Sequence, residues 1–249
     1  MLKIALIGYG QMGKMLEQLA PEMDMEIVSI IDPTLGNGIC KETVAEADVC
    51  IDFTLPKSAL PNIKKLSELR KTVVMGTTGW MQNLAEVTEI VNQSGIGFIY
   101  GSNFSPGMNM FFQVVKQAAT MFNNLEDYDV YGLEYHHKRK VDSPSGTAKV
   151  LSDIILDKVD RKTEAQYDKL DRKVKPEEFH LSSVRAGEIP GTHIIGFDTE
   201  ADSIELKHTA RNRIGLAKGA LLAAKWITDK KGIYDFSESF EEIIQSKSK

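Results

Sequence analysis

The chain has 249 residues, 42% hydrophobic and 26% charged, with a formal net charge of −5, which suits one large globular domain or two modest ones. The acidic balance argues against a nucleic-acid binder, which presents a basic face, and no apolar run is long enough to span a bilayer. Two cysteines, Cys40 and Cys50, cannot build a disulfide framework, and the N-terminus does not read as a secretory signal, so a cytoplasmic setting is expected.

Ile4 to Ile7 reads as a buried strand, followed by a glycine turn and an amphipathic helix through Met15, Leu16 and Leu19. Residues 26–31 form a second strand ending at Asp32-Pro33, and residues 49–53 a third. A helix after Pro56 carries Leu60, Ile63, Leu66 and Leu69. Residues 72–75 and 96–100 are the fourth and fifth strands, separated by a helix with Leu84, Val87 and Ile90. Short apolar strands alternating with helices predict a parallel sheet covered on both faces.

After Pro106 the rhythm changes. A long apolar helix is expected over residues 108–122, a strand over 130–135, and a helix from Thr147 to about Val159. Residues 160–178 are charged and poorly periodic and read as a surface loop. Strands are expected at 179–184, 193–198 and 203–208, alternating as in an open sheet with one solvated face. A last helix covers 216–228, and residues 245–249 read as a frayed tail. The expected fold is α/β: a Rossmann-like parallel-sheet domain, residues 1–107 and 217–249, plus a second α+β domain with an open mixed sheet, residues 108–216.

Gly8-Tyr9-Gly10-Gln11-Met12-Gly13 follows the first strand and opens a helix. Gly8 permits the turn, Gly10 lets the backbone approach a pyrophosphate, and Gly13 lets helix and strand pack closely. The helix N-terminus offers free N–H groups to phosphate oxygens. Asp32 ends the second strand, where a carboxylate accepts hydrogen bonds from the adenosine ribose and repels a 2′-phosphate. With Pro33 where an arginine could clamp that phosphate, NADH is expected to serve at least as well as NADPH. Two further loops, Gly76-Thr77-Thr78-Gly79 and Gly101-Ser102-Asn103-Phe104-Ser105, follow the fourth and fifth strands. Their small residues suit contact with the nicotinamide half of the cofactor.

The run Glu134 to Ala148, EYHHKRKVDSPSGTA, gathers two histidines, cations and a Ser-Gly-Thr turn. His136 and His137, continuing a strand, point to opposite faces. Histidine exchanges protons near neutral pH, and lysine supplies charge or a proton. Lys138 and Arg139 read as a solvated charge run. Ser143 or Ser145 can cap the next helix, leaving the Gly146 and Thr147 amides for an anion. One carboxylate there, and another on His137 and Lys140, would suit a dianionic ligand. Adjacent histidines diverge, no His-x-x-x-His occurs, and no metal is expected.

Together these segments resemble the 4-hydroxy-tetrahydrodipicolinate (dihydrodipicolinate) reductase family. GYGQMG, DFTLP at 52–56, GTTG at 76–79, GSNFSPGMN at 101–109, EYHHKRKVDSPSGTA and SVRAGEIPGTH at 183–193 carry the resemblance. It implies NAD(P)H-dependent reduction of a small cyclic dicarboxylate in lysine and diaminopimelate biosynthesis, by a cytoplasmic homotetramer assembled through the second domain's sheet. It implies that His136 and Lys140 handle the proton, that His137, Gly146 and Thr147 hold the substrate, and that Gly8 to Gly13, Asp32, Gly76 to Thr78 and Gly101 to Phe104 contact the cofactor. The glycine loop is one residue shorter than the family's common form, with Gln11 where an arginine often lies. That change and Pro33 remove positive charge near the cofactor phosphates. A related amino- or imino-acid dehydrogenase and a non-catalytic dinucleotide sensor are the competing readings, and the His-His-x-x-Lys run with its Pro-Ser-Gly-Thr turn disfavours both.

Overall fold

The computed structural model describes residues 1–246, so residues 247–249 of the expected tail lie outside the described residues. The chain divides into two compact units, one of Met1–Pro106 with the chain from Arg213 onward, the other of Gly107–Asn212. Residues 213–216, which the sequence reading placed in the second domain, group with the first unit.

The first unit is a six-stranded parallel sheet. Strands β1 (Leu2–Ile7), β2 (Met25–Ile31), β3 (Val49–Asp52), β4 (Thr72–Met75), β5 (Gly97–Tyr100) and β11 (Gly232–Asp235) lie in the order β11-β5-β4-β3-β1-β2. Central strands such as β1 are buried on both sides, and so read as continuous apolar runs. One face is covered by α1 (Gln11–Leu19), α6 (Ile214–Ile227) and α7 (Phe240–Gln245) around Leu16, Leu221 and Phe240. The other carries α2 (Pro56–Glu68) and α3 (Leu84–Ser94) around Ile63, Leu66, Val87 and Val91. Helix α6 is buried almost all round because it lies in that core with other helices outside it. Strand β11 was not anticipated: its four residues are all half-buried, with no alternation to mark them, and pairing with β5 at the sheet edge defines the strand. The order reverses between β1 and β3, which puts the crevice beyond their C-terminal ends.

The second unit is a five-stranded mixed sheet of β6 (Asp129–His136), β7 (Glu164–Gln166), β8 (Glu178–Arg185), β9 (Thr192–Asp198) and β10 (Ser203–Thr209), in the order β10-β9-β6-β8-β7. Strand β8 runs parallel to β6 and β7, whereas β9 is antiparallel to β6 and β10. Helices α4 (Pro106–Phe122) and α5 (Gly146–Lys158) pack Phe111, Phe112, Val115, Leu151 and Ile155 onto Val130, Phe179, Leu181, Ile195 and Phe197.

Two expectations need correction here. Residues 160–178 are not a plain surface loop, because they contain β7 and a buried polar clasp. Lys162 is only 2% exposed, donates to the carbonyls of Pro176 and Glu178, and pairs with Asp129 at 2.6 Å. Buried Glu178 takes both arms of Arg172. Such a segment is ordered through charges, so it carries no apolar periodicity. Strand β9 also fails to alternate. Gly196 faces the open side, but the Tyr131 ring lies across it, with a hypothetical Cβ only 2.2 Å from that ring, and the strand is buried through Phe197.

Candidate active site

In the first unit, steric necessity builds the glycine loop. Gly8 has φ +89°, and a Cβ there would lie 2.4 Å from the Phe53 carbonyl oxygen. A Cβ on Gly13 would lie 2.4 Å from the Gly8 carbonyl oxygen, so the turn and α1 can touch only through glycine. Gly10 is exposed and caps α1 without a side chain, leaving the first-turn amides for an anion. Gln11 is exposed beside them, and Met12 packs against the core. Gln11 accepts a hydrogen bond from Arg213, 202 residues on. A cation from the start of α6 thus stands beside the loop, a contact that no local pattern reveals.

Asp32 directly follows β2, where the fingerprint expects an acid. It accepts the Tyr9 amide at 2.7 Å, and the Thr34 amide and hydroxyl at 2.8 and 2.7 Å. The Thr34 hydroxyl first, then these amides, hold its carboxyl below the usual carboxylate range, so it is a fixed anion. A cavity of about 590 Å³ lies here, lined among others by Gly8, Tyr9, Asp32, Thr34, Thr54 and Lys57.

The loops after β3, β4 and β5 are held from below. Asp52 is fully buried, and burial pushes its carboxyl up. It is satisfied by the Thr54 hydroxyl at 2.8 Å, the Thr77 hydroxyl at 2.7 Å and the Asn62 amide at 2.7 Å. Thr77 in turn accepts the Thr54 amide at 2.6 Å. The Thr77 side chain is therefore committed to the loop, while Thr78 is exposed. Gly76 lies under the Phe53 ring, with no space for a Cβ. Gly101 is buried, Ser102 is exposed, and Asn103 accepts the Ser105 amide at 2.9 Å. Phe104 is a core residue, 1% exposed and packed against Phe236 at 4.7 Å between ring centroids, so only its backbone is placed to meet a ligand. Sequence reasoning missed the Asp52–Asn62 support because those residues act behind the loop.

In the second unit, β6 alternates, with Glu134 and His136 buried and Tyr135 half-buried between them, and half-buried His137 follows the strand. Register brings Ser183 of β8 and His193 of β9 beside Glu134, and Arg185 beside His136. Oε1 of Glu134 accepts the Ser145 amide at 3.0 Å, the Ser183 hydroxyl at 2.7 Å and Arg185 Nη2 at 2.8 Å. Its Oε2 stands 3.4 Å from His136 Nδ1 and 3.5 Å from His193 Nε2. Burial pushes the Glu134 carboxyl up, but His193, Ser145, Arg185 and Ser183 together outweigh that and hold it well below the usual carboxylate range. Burial first, then the charges of His193, Lys140 and Arg185, lower His136 to about 4 against the opposing pull of Glu134. His136 is thus a neutral imidazole at neutral pH.

Lys140 sits on the following turn with its ammonium 2.7 Å from Asp142. Lys138 is exposed, and Arg139 forms a two-armed surface pair with Glu188. Ser145 is the N-cap of α5, and its hydroxyl accepts the Ala148 amide at 3.1 Å. Gly146 is exposed and Thr147 half-buried, with their amides in the first turn, where a helix leaves its donors open. The segment thus joins a neutral imidazole, an ammonium and a helix start with open amide donors.

Glu134, His136 and His193 also bring one ligand atom each within 4.8 Å of one another, a three-ligand geometry. The sequence reading could not see it, because His193 comes from a distant strand. Arg185 already compensates Glu134 there, and three donors occupy the other carboxylate oxygen. That donor set fits a proton network better than a divalent cation.

Residues 2–104 match the family model described as Dihydrodipicolinate reductase, N-terminus, and residues 107–240 match Dihydrodipicolinate reductase, C-terminus. A 4-hydroxy-tetrahydrodipicolinate reductase of Christiangramia forsetii is 38% identical over 98% of this chain and 100% of its own length. One from Methanoregula boonei is 33% identical over 96% and 97%. The dipicolinate-bound dihydrodipicolinate reductase of Paenisporosarcina sp. TG-14 shares the fold with a TM-score of 0.77 at 21% identity, over 96% of this chain and 99% of that one.

Proposed function

The chain belongs to the dihydrodipicolinate reductase family, and from that premise we propose that it reduces 4-hydroxy-tetrahydrodipicolinate to tetrahydrodipicolinate with NAD(P)H, in lysine and diaminopimelate biosynthesis. The observation that carries this reading is the Ser145–Thr147 helix start hydrogen-bonded through Glu134 to the His136 strand. An anion-binding turn and a proton-handling group are there built as one piece.

The first unit is the dinucleotide-binding domain. Gly8 and Gly13 make the tight turn that a Cβ would block, Gly10 leaves open space for a pyrophosphate, and the α1 amides with Gln11 face its oxygens. Asp32, already ionised and oriented by Tyr9 and Thr34, receives the adenosine ribose. Tyr9 and Met12 frame the loop; Gly76, Thr77, Thr78, Gly101, Ser102, Asn103 and the Phe104 backbone serve the nicotinamide half. The fixed negative charge of Asp32 supports use of NADH at least as well as NADPH. When bound, the dinucleotide supplies the hydride.

The second unit binds the substrate and forms the oligomer, a cytoplasmic homotetramer. Gly146 and Thr147 hold one carboxylate, and His137 helps hold the other. The net change consumes one hydride and one proton and releases water from the hydroxylated ring. Because His136 is neutral, the Lys140 ammonium is the acid that protonates the ring carbon next to the one receiving hydride, and the lone pair of His136 orients that transfer. Following NADH absorbance with freshly made dihydrodipicolinate synthase product tests the reading. Turnover should appear in the wild type and fall sharply in kcat in Lys140→Met and His136→Gln; no NADH oxidation by a folded wild type contradicts it.

A further inference from the structure

Glu134 has no role in the binding or proton steps just described, yet its carboxylate meets five polar neighbours. It is fully buried, and its two oxygens are used differently. One accepts three donors, from the α5 N-cap amide and from Ser183 and Arg185 of β8. The other has no hydrogen-bond partner within ordinary limits, and neither does His136 Nδ1, although both are buried and face each other at 3.4 Å. The imidazole is fixed from its remaining sides as well. The His193 ring meets it edge-on at 5.2 Å and 73°, and a Cβ on Gly191 would lie 3.1 Å from His136 Nε2.

We propose that Glu134 is a positioning residue that keeps the His136 proton on Nδ1 and its Nε2 as the free acceptor, while pinning the α5 helix start to the same carboxylate. The inference rests on the reading under Proposed function and deepens it. The surrounding contacts accommodate this proton arrangement. The Ser145 hydroxyl accepts the Ala148 amide and has its O–H to donate to His193 Nε2 at 3.2 Å. That leaves Glu134 Oε2 for the Nδ1–H of His136. A carboxylate behind an imidazole sets tautomer and ring orientation together. The charged and titratable groups facing this imidazole are Glu134 from its own strand, Arg185 from β8, His193 from β9 with His208 beyond it on β10, and Lys140 with Asp142 on the following turn. Of these, Glu134 is the anion that favours the imidazolium, so its removal makes His136 harder to protonate.

The test has two parts. Nitrogen-15 NMR of histidine-labelled wild type, with His136 assigned by loss of its signal in His136→Gln, should show at neutral pH a neutral ring protonated on Nδ1. Glu134→Gln keeps the volume and an acceptor for Ser145, but loses the charge. It should lower kcat about tenfold or more, with KM for the dicarboxylate changing less than about threefold, and move the acid limb of the pH profile to lower pH. A wild-type His136 protonated on Nε2 overturns the proposal, as does a Glu134→Gln enzyme with unchanged kcat and pH profile. If Glu134→Gln does not fold, the wild-type tautomer decides alone. A wild type that binds NADH but oxidises none with the synthase product refutes the reading of function instead, and the tautomer still judges Glu134.

Discussion

Neutralising Asp32 should change which dinucleotide the enzyme prefers. Asp32 lies in the cavity beyond β1 and β3, and three donors hold its carboxylate ionised, so it cannot escape a nearby phosphate by taking up a proton at neutral pH. Two unit charges about 4 Å apart interact by about 1 kcal/mol in water and about 4 kcal/mol at an effective dielectric near 20. A half-buried site falls between these, so the 2′-phosphate of NADPH should meet a penalty of about tenfold to a few hundredfold at about 1.4 kcal/mol per decade. Asp32→Asn removes the charge and keeps an oxygen for the Tyr9 amide. Its ratio of kcat/KM for NADPH over NADH should rise about tenfold or more. Part of that rise comes from NADH, because a hydrogen bond to a charged acceptor contributes about 1.5–3 kcal/mol and a neutral one less. Steady-state kinetics with both cofactors at one salt concentration measure the ratio, and a Tm near that of the wild type excludes a collapsed loop. An unchanged ratio, or a wild type that strongly prefers NADPH, refutes the electrostatic reasoning.

Gly13→Ala should weaken NADH binding, read by fluorescence titration, about tenfold or more, because the new methyl meets the Gly8 carbonyl oxygen at 2.4 Å and must open the turn. Thr77→Val should lower stability by about 1–3 kcal/mol in urea unfolding, since buried Asp52 and the Thr54 amide each lose a partner. Ser145→Ala should cost about 1 kcal/mol through the lost cap and raise KM for the dicarboxylate more than it lowers kcat. Acid should destabilise the second unit in a predictable direction. His136 is lowered to about 4 when folded, so the unfolded chain takes up the proton first as pH falls. Its contribution is complete above the ordinary histidine value of about 6.5 and is lost towards about pH 4, up to about 3 kcal/mol at about 1.4 kcal/mol per unit. The depressed carboxyl of Glu134 adds a loss at lower pH, beginning near the ordinary carboxylate value. His136→Gln should therefore lose less Tm than the wild type between about pH 7 and about pH 5; an equal loss contradicts the burial argument.

Much of this was legible in the sequence, because the relevant signals are local. The strands of the parallel sheet are buried on both faces and stand out as apolar runs, and the glycine spacing reflects collisions between neighbouring segments of backbone. What escaped depends on partners far along the chain. Arg213 reaches Gln11 across 202 residues, and His193 joins Glu134 only through the register of β6 and β9. Strand β7 is held beside ion pairs with one buried partner each, which look like solvated charge in a sequence. Glu134 lay inside the most informative segment but drew no role, since its importance comes from having no exposure and five polar neighbours, neither of which a motif displays.

The proposed function requires the second unit to grip a dianion on the α5 helix start beside a neutral His136. A crystal structure with NADH and pyridine-2,6-dicarboxylate tests it most directly. One carboxylate should accept the Gly146 and Thr147 amides, with His137 and Lys140 reaching the ligand and the His136 ring against Glu134. A dicarboxylate bound elsewhere, with the Gly146 and Thr147 amides left to solvent, would contradict the account.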